Sequence, residues 1–187
     1  VYVTNFVEMG SRVSSGALDD RIACAAVVEA FRTMQNVHDV YAVFTVQEEV
    51  GLRGAGAAAY AIEPDLNISL DVTGTGDTPK CGRMSVKLGA GATVKVMDSS
   101  VIVPPVVRAF LVEAADEKNI RWQPEVLRAG GTDTGAVQRT RGGILSGCIS
   151  IPTRYIHSPV ETADMGDYEA AVQLVCAAVA KQELPHR

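Results

Sequence analysis

Short apolar runs of strand length alternate with segments of helical period along most of this chain, and that alternation leaves few folds open. Val40 to Val46, Asn67 to Val72, Met84 to Leu88, Thr93 to Met97, Trp122 to Leu127 and Ile144 to Ser150 read as strands. Between them, Asp20 to Met34 has helical spacing, with Cys24, Val27, Val28 and Phe31 on one face, and Gly54 to Ala61 is a short Ala-rich helix that ends before Pro64. Pro104-Pro105 opens a helix carrying Val107, Phe110, Leu111, Ala114 and Ala115. Gly130-Gly131-Thr132-Asp133 turns into another short helix, and Asp164 caps a last one with Tyr168, Ala171, Val172, Val175 and Val179 on its buried stripe. Such an order gives an α/β fold, a single sheet sandwiched by helices. Val1 to Val7 is strand-like with no partner nearby in sequence and reads as a severed element, while residues 183–187 form a polar tail.

Composition narrows the functions available. With 187 residues and 47% hydrophobic content the chain can form one packed domain, and it has no apolar run of membrane-spanning length. The net charge of −5 and the lack of a basic stripe argue against nucleic acid as a partner. Cys24, Cys81, Cys148 and Cys176 have no paired spacing and read as reduced core residues of a cytoplasmic protein.

Acidic residues gather where open α/β sheets carry their sites, at the mouths of neighbouring strands. Glu48-Glu49 follows the run Val40 to Val46, Asp71 ends the next run, and Asp19-Asp20 precedes the helix that leads into the first. If these converge, like charges about 4 Å apart repel by roughly 4 kcal/mol per pair at an effective dielectric of 20, so something must neutralise them. Arg21, Arg53 and Arg154 could do so as structural ion pairs. The alternative is a metal: carboxylates plus the imidazole of His157, which follows the last apolar run, suit zinc, cobalt or manganese.

The segments Ala17-Leu18-Asp19-Asp20-Arg21, Thr45 to Gly54, Leu70-Asp71-Val72-Thr73, Gly130-Gly131-Thr132-Asp133 and Pro152 to Ser158, in this order, resemble the tetrahedral aminopeptidases, a family that includes glutamyl aminopeptidases and proteins once named cellulase M. The resemblance implies a three-layer αβα catalytic domain with a mixed central sheet, N-terminally truncated here. Residues 1–16 would be the end of an inserted β domain and a linker, and 17–187 the incomplete catalytic domain. It further implies two divalent ions, with Asp19 bridging, Asp71 completing one site, and Glu49 with His157 completing the other. Glu48 would be the general base. Asp20 would not be a ligand but would follow a cis peptide bond, and Gly130 and Gly131 would lie at the substrate pocket.

Relatives carry a further His on an N-terminal segment, and His38 and His186 read as surface residues rather than substitutes for it. The expected partners are therefore a peptide substrate, the N-terminal segment of the same polypeptide and, at full length, further copies in a homo-oligomer. Three expectations follow. The ligand atoms of Asp19, Glu49 and His157 should lie within roughly 4 to 5 Å of one another. This chain alone should bind at most one ion tightly and be inactive. An apolar patch should line one sheet edge. The competing readings are a glycoside hydrolase, because paired carboxylates also serve glycosidases, and a non-catalytic assembly subunit. Adjacent Glu48 and Glu49 flank a sugar poorly, and one Trp offers little stacking surface.

Overall fold

A computed structural model describes residues 6–186. The chain begins with a hairpin of β1 (Val7–Met9) and β2 (Arg12–Ser15), followed by α1 (Leu18–Thr33), α2 (Arg53–Ile62), β3 (Leu66–Thr73) and β4 (Ala92–Met97). Then come α3 (Pro105–Glu117), β5 (Trp122–Val126), α4 (Asp133–Gln138), β6 (Leu145–Arg154), β7 (Glu161–Asp164) and α5 (Met165–Val179).

The organising strand is β6, buried along nearly its whole length. On one side it pairs in parallel with β3 from Leu145 to Pro152; on the other it meets β4 at Ile149 and Ser150 and β7 at Thr153 and Arg154, both antiparallel. The strand order is β1-β2-β7-β6-β4-β5, with β3 on the remaining side of β6, so the sheet is mixed. Pro124 lies in β5, the outer strand beside β4, where a missing N–H is tolerated. Val7 pairs with Ser14, so this end of the strand-like start does find a neighbour in sequence; residues 1–5 lie outside the described residues. β2 in turn pairs with β7, which makes the hairpin a continuation of the sheet.

Helices cover both faces. α1, α3 and α5 share the larger core with Ile149 and Ile151, both fully buried, each worth about 1.5–3 kcal/mol of apolar transfer. α2 and α4 form a separate small core around Ala55, Ala59, Val137 and Ile144. The architecture is therefore αβα.

Four local expectations change. Val40 to Val46 forms no strand and is largely exposed: Tyr41 is 66% and Phe44 52% accessible. Its residues have strand propensity, but residues 39–45 find no backbone partner among the described residues, and propensity without a partner does not make a ladder. Met84 to Leu88 is likewise not a strand. Side chains hold it instead: Gln123 takes the Lys87 N–H and donates to its carbonyl, and Asp77 accepts from the Leu88 N–H. In α1 the buried face is Ile22, Ala23, Ala26 and Ala30, while Cys24, Val28 and Phe31 stay exposed. Of the cysteines, all free, only Cys148 is buried, and burial pushes its thiol up to about 12; Cys24 is exposed rather than in the core.

Candidate metal centre

The expected carboxylates come from three separate places in the chain and are each fixed by local backbone. Asp19 and Asp20 stand at the entrance of α1, with non-helical backbone angles and a cis peptide between them. Acidic groups at a helix N-terminus are favoured by the helix dipole. Glu48 and Glu49 sit on a tight loop: Gly51 and Leu52 donate to the Glu48 carbonyl at 3.0 and 2.9 Å, and Gly54 donates to Val46 at 3.0 Å. Residue 54 must be glycine for that return, because a Cβ there would lie 2.6 Å from the Val46 carbonyl oxygen. Asp71 lies near the end of β3 and accepts from the Val72 N–H at 2.7 Å.

These residues converge. His157 Nε2 is 3.0 Å from Asp19 Oδ2 and 3.3 Å from Glu49 Oε2, and the ligand atoms of the three lie within 4.8 Å of one another. Asp19, Asp20 and Asp71 form a second set within the same distance. Asp20 thus stands closer to the centre than the resemblance implies. Glu48 lies on the wall of the same cavity beside both sets.

Among the described residues, no arginine is paired with this centre. Arg154 pairs with Asp77 at 2.9 Å instead, and none of the ion pairs among the described residues joins Arg21 or Arg53 to the centre. The electrostatic result is visible in Asp20, Glu48, Asp19 and Asp71. Burial, then Asp71, Asp19, Glu48 and Asp133, pushes Asp20 up to about 9; burial, then Asp133, Glu49 and Asp19, pushes Glu48 up to about 7. Asp19 is raised to about 6 by burial and Glu49 against the opposing pull of His157, and Asp71 is raised chiefly by burial. Asp20 Oδ1 and Asp133 Oδ1 are buried without hydrogen-bond partners among the described residues. A hard-to-borderline donor set short of positive charge, with orphaned oxygens among it, fits a divalent cation.

Two contributors escaped the sequence reading. Glu161 of β7, 2% exposed, accepts from the Asp19 N–H through Oε2 at 3.0 Å and from the His157 N–H through Oε1 at 2.8 Å. One side chain thus braces two legs of the first set; its only sequence signal is a Glu four residues after the His. Asp133 adds a further carboxylate, held by the Thr45 hydroxyl at 2.5 Å and raised by burial. Its neighbours Gly130 and Gly131 do not reach the cavity: the Gly130 carbonyl accepts from Ser99, and Gly131 lies close against Ser100. His38 bonds the Lys181 carbonyl and His186 is exposed, and neither belongs to the two ligand sets.

The same architecture and sequence recur in known proteins. An Acetivibrio thermocellus protein provisionally named as an aminopeptidase is 52% identical over 179 residues, covering 95% of this chain and 54% of its own length. The structure of an aminopeptidase from the archaeon Desulfurococcus kamchatkensis superposes with a TM-score of 0.92 at 38% identity, over 97% of this chain and 52% of that one. A TET1 peptidase of Pyrococcus horikoshii, described as assembling into a tetrahedron or a large octahedral shell, superposes with a TM-score of 0.80 at 32% identity, over 97% of this chain and 54% of its own. The chain spans about half the length of these relatives. Since the M42 glutamyl aminopeptidase profile matches residues 1–174, on a sheet and an acidic centre of this form, the chain belongs to the M42 glutamyl aminopeptidase family.

Proposed function

We propose that these residues form the centre of a metal-dependent aminopeptidase that removes N-terminal residues from peptides. The observation that carries the reading is the convergence of Asp19, Glu49 and His157, with Asp19, Asp20 and Asp71 gathered as a second set beside them. Asp19, Glu49 and His157 would hold one divalent ion, zinc, cobalt or manganese; Asp19 and Asp71, with Asp20 beside them, would hold a second. When bound, such ions supply Lewis acidity and lower the pKa of a coordinated water.

The protein's own groups do the rest. Glu48 lies next to the ligands without belonging to either set, and its carboxyl, lifted to about 7, is matched to take a proton from water and return it to a leaving amine near neutral pH. Asp133, which lines the same cavity and acts on Glu48, offers an anion to a peptide's free amino group. Glu161 keeps Asp19 and His157 aligned. The second set contains carboxylates only, so this chain alone binds at most one ion tightly and is inactive by itself. At full length the enzyme is cytoplasmic and homo-oligomeric, a reading supported by the shell-forming relative and by the free cysteines; no helix among the described residues is long and apolar enough to cross a membrane.

Calorimetric titration of the chain with Zn²⁺, Co²⁺ and Mn²⁺ tests the reading. One tight site is expected, lost at least about tenfold in affinity in Asp19→Asn or His157→Ala and kept in Glu48→Gln. In the full-length protein Glu48→Gln should lower aminopeptidase turnover about 10²–10⁴-fold, with no hydrolysis of cellulose by the wild type. Tight metal binding that survives Asp19→Asn would overturn the assignment.

A further inference from the structure

We infer that Arg154, locked to Asp77, is a positioning residue: it holds the turn between β6 and β7 in the bent form that points the His157 ring at Asp19 and Glu49. Its use rests on the reading of His157 as a metal ligand, whereas the shape of the turn does not.

The turn is strained, and its ligand has little packing of its own. Residues 155–160 join β6 to β7, and two of them, Tyr155 at φ 58° and His157 at φ 63°, are non-glycine residues in the left-handed region. Such backbone persists only where its neighbours force it. The His157 side chain is 67% exposed, so ring packing alone does not fix its direction and the backbone must. Three anchors act on that backbone. Ile156, between the two strained residues, packs against the larger core. Glu161, at the exit, accepts from the His157 N–H. At the entrance Arg154 Nε and Nη2 donate to Asp77 Oδ1 and Oδ2 at 3.0 and 2.9 Å. A planar fork of this kind fixes direction as well as distance.

The fork stands where the ladder gives out. β3 and β6 pair as far as Thr73 and Pro152, and Pro152 has no N–H to bring to a further rung. Two residues on, Arg154 reaches the chain that leaves β3, where no backbone hydrogen bond among the described residues joins the two segments. The fork is thus a side-chain rung between the outlets of two strands. One outlet leads to His157 of the first ligand set, and the other follows Asp71 of the second. Asp77 is itself held in place. It accepts from the Leu88 N–H at 3.0 Å, and Gly76 before it donates to the Val86 carbonyl at 2.8 Å. That return is so close that a Cβ on residue 76 would lie 1.8 Å from the Met84 carbonyl oxygen. Hydrogen bonding from Arg154 holds the Asp77 carboxyl down to about 2, so the pair stays charged at neutral pH.

Calorimetric titration of the 187-residue chain with Zn²⁺ separates position from charge. Arg154→Gln removes a positive charge, which by charge alone would tighten the binding of a cation. By position it should weaken Zn²⁺ binding about tenfold, and Asp77→Asn, which leaves the arginine in place, should do the same. In a His157→Ala background neither change should weaken binding further, because the effect passes through that ring. Without metal, the His157 amide should exchange at least about tenfold faster in both variants, while the amides of Ile149 and Ile151 keep their wild-type rates. Affinity unchanged or raised in Arg154→Gln, an equal loss in the absence of His157, or faster exchange at His157 only together with the core amides would overturn the role of Arg154. A wild-type chain that binds no Zn²⁺ would strike the ligand reading instead, and the exchange rates would still decide whether Arg154 shapes the turn.

Discussion

Two clusters of buried charge lie on the same sheet and are built on opposite terms. Around Lys95, which has no exposed surface, everything is paired: its ammonium contacts Glu125 and stands 3.5 Å from Asp98. Glu125 also accepts from Thr73 and Thr93 at 2.9 and 2.6 Å, and Asp98 accepts from Ser100 and Thr132 at 2.7 and 3.0 Å. In the acidic centre the carboxylates face each other, and two buried oxygens have no partner. Glu125 is tied to the strand that carries the centre, since its partner Thr73 is two positions beyond Asp71, yet Lys95 is already committed. Buried charge that is satisfied serves the fold; buried charge that is not satisfied is held ready for a ligand.

Breaking the paired cluster should give the largest effect. Lys95→Met leaves Glu125 and Asp98 buried without their cation and should cost about 3–5 kcal/mol in urea denaturation. A cost below about 1 kcal/mol would show that the two clusters do not differ in kind.

The pH dependence should separate them next. A carboxyl raised on folding keeps its proton more tightly folded than unfolded. Its stability contribution is therefore greatest below the unfolded value near 4 and declines as pH rises through the folded one. Asp19 at about 6, Glu48 at about 7 and Asp20 at about 9 put this decline between about pH 4 and 9 in the metal-free chain. A loss of about 2 kcal/mol from pH 5 to 8 is expected, reduced by added Zn²⁺; stability that rises over this range without metal would contradict it. Asp77 has the opposite sign. Chiefly through its hydrogen bond to Arg154 it is lowered to about 2, so its contribution is present above pH 4 and lost as pH falls toward 2.

Asp20→Asn should stabilise the metal-free chain by about 1–2 kcal/mol at pH 8, by removing a buried carboxyl that must take up a proton on folding, and should weaken metal binding. Thermal melts with and without Zn²⁺ read both signs. The smallest effect belongs to an exposed cluster: Arg141, over the Tyr60 ring at 3.9 Å and 2.5 Å from Glu63, should lose no more than about 1 kcal/mol on change to Ala.

Much of this was legible in the residues. Apolar patterning located β3 to β6, α3 and α5, because those elements bury the faces that produce the period; it located α1 too, although the helix buries a different face, and α2 and α4 were legible from Ala content and turn residues. The acidic doublets were legible because charge at strand exits is costly wherever it occurs. Val40 to Val46 misled for a physical reason: strandness is a property of pairs, and a single segment carries only half of it. β7 was invisible because Glu161 to Asp164 has no apolar pattern; it is buried between β2 and β6 by its backbone pairing. Glu161 was missed for the same reason, since its bonds run to backbone amides 142 and 4 residues away, which no spacing rule connects.

Glu161 also acts as a gauge. Its two oxygens are a fixed distance apart, set by covalent geometry, and each is tied to the main chain of a different ligand residue. A small movement of β7 relative to the rest of the sheet would therefore shift Asp19 and His157 together without changing the gap between them. The width of the site is thus written in a residue that never touches what the site holds, and a carboxylate shortened by one methylene, as in Glu161→Asp, would reach one of its two amides and release the other.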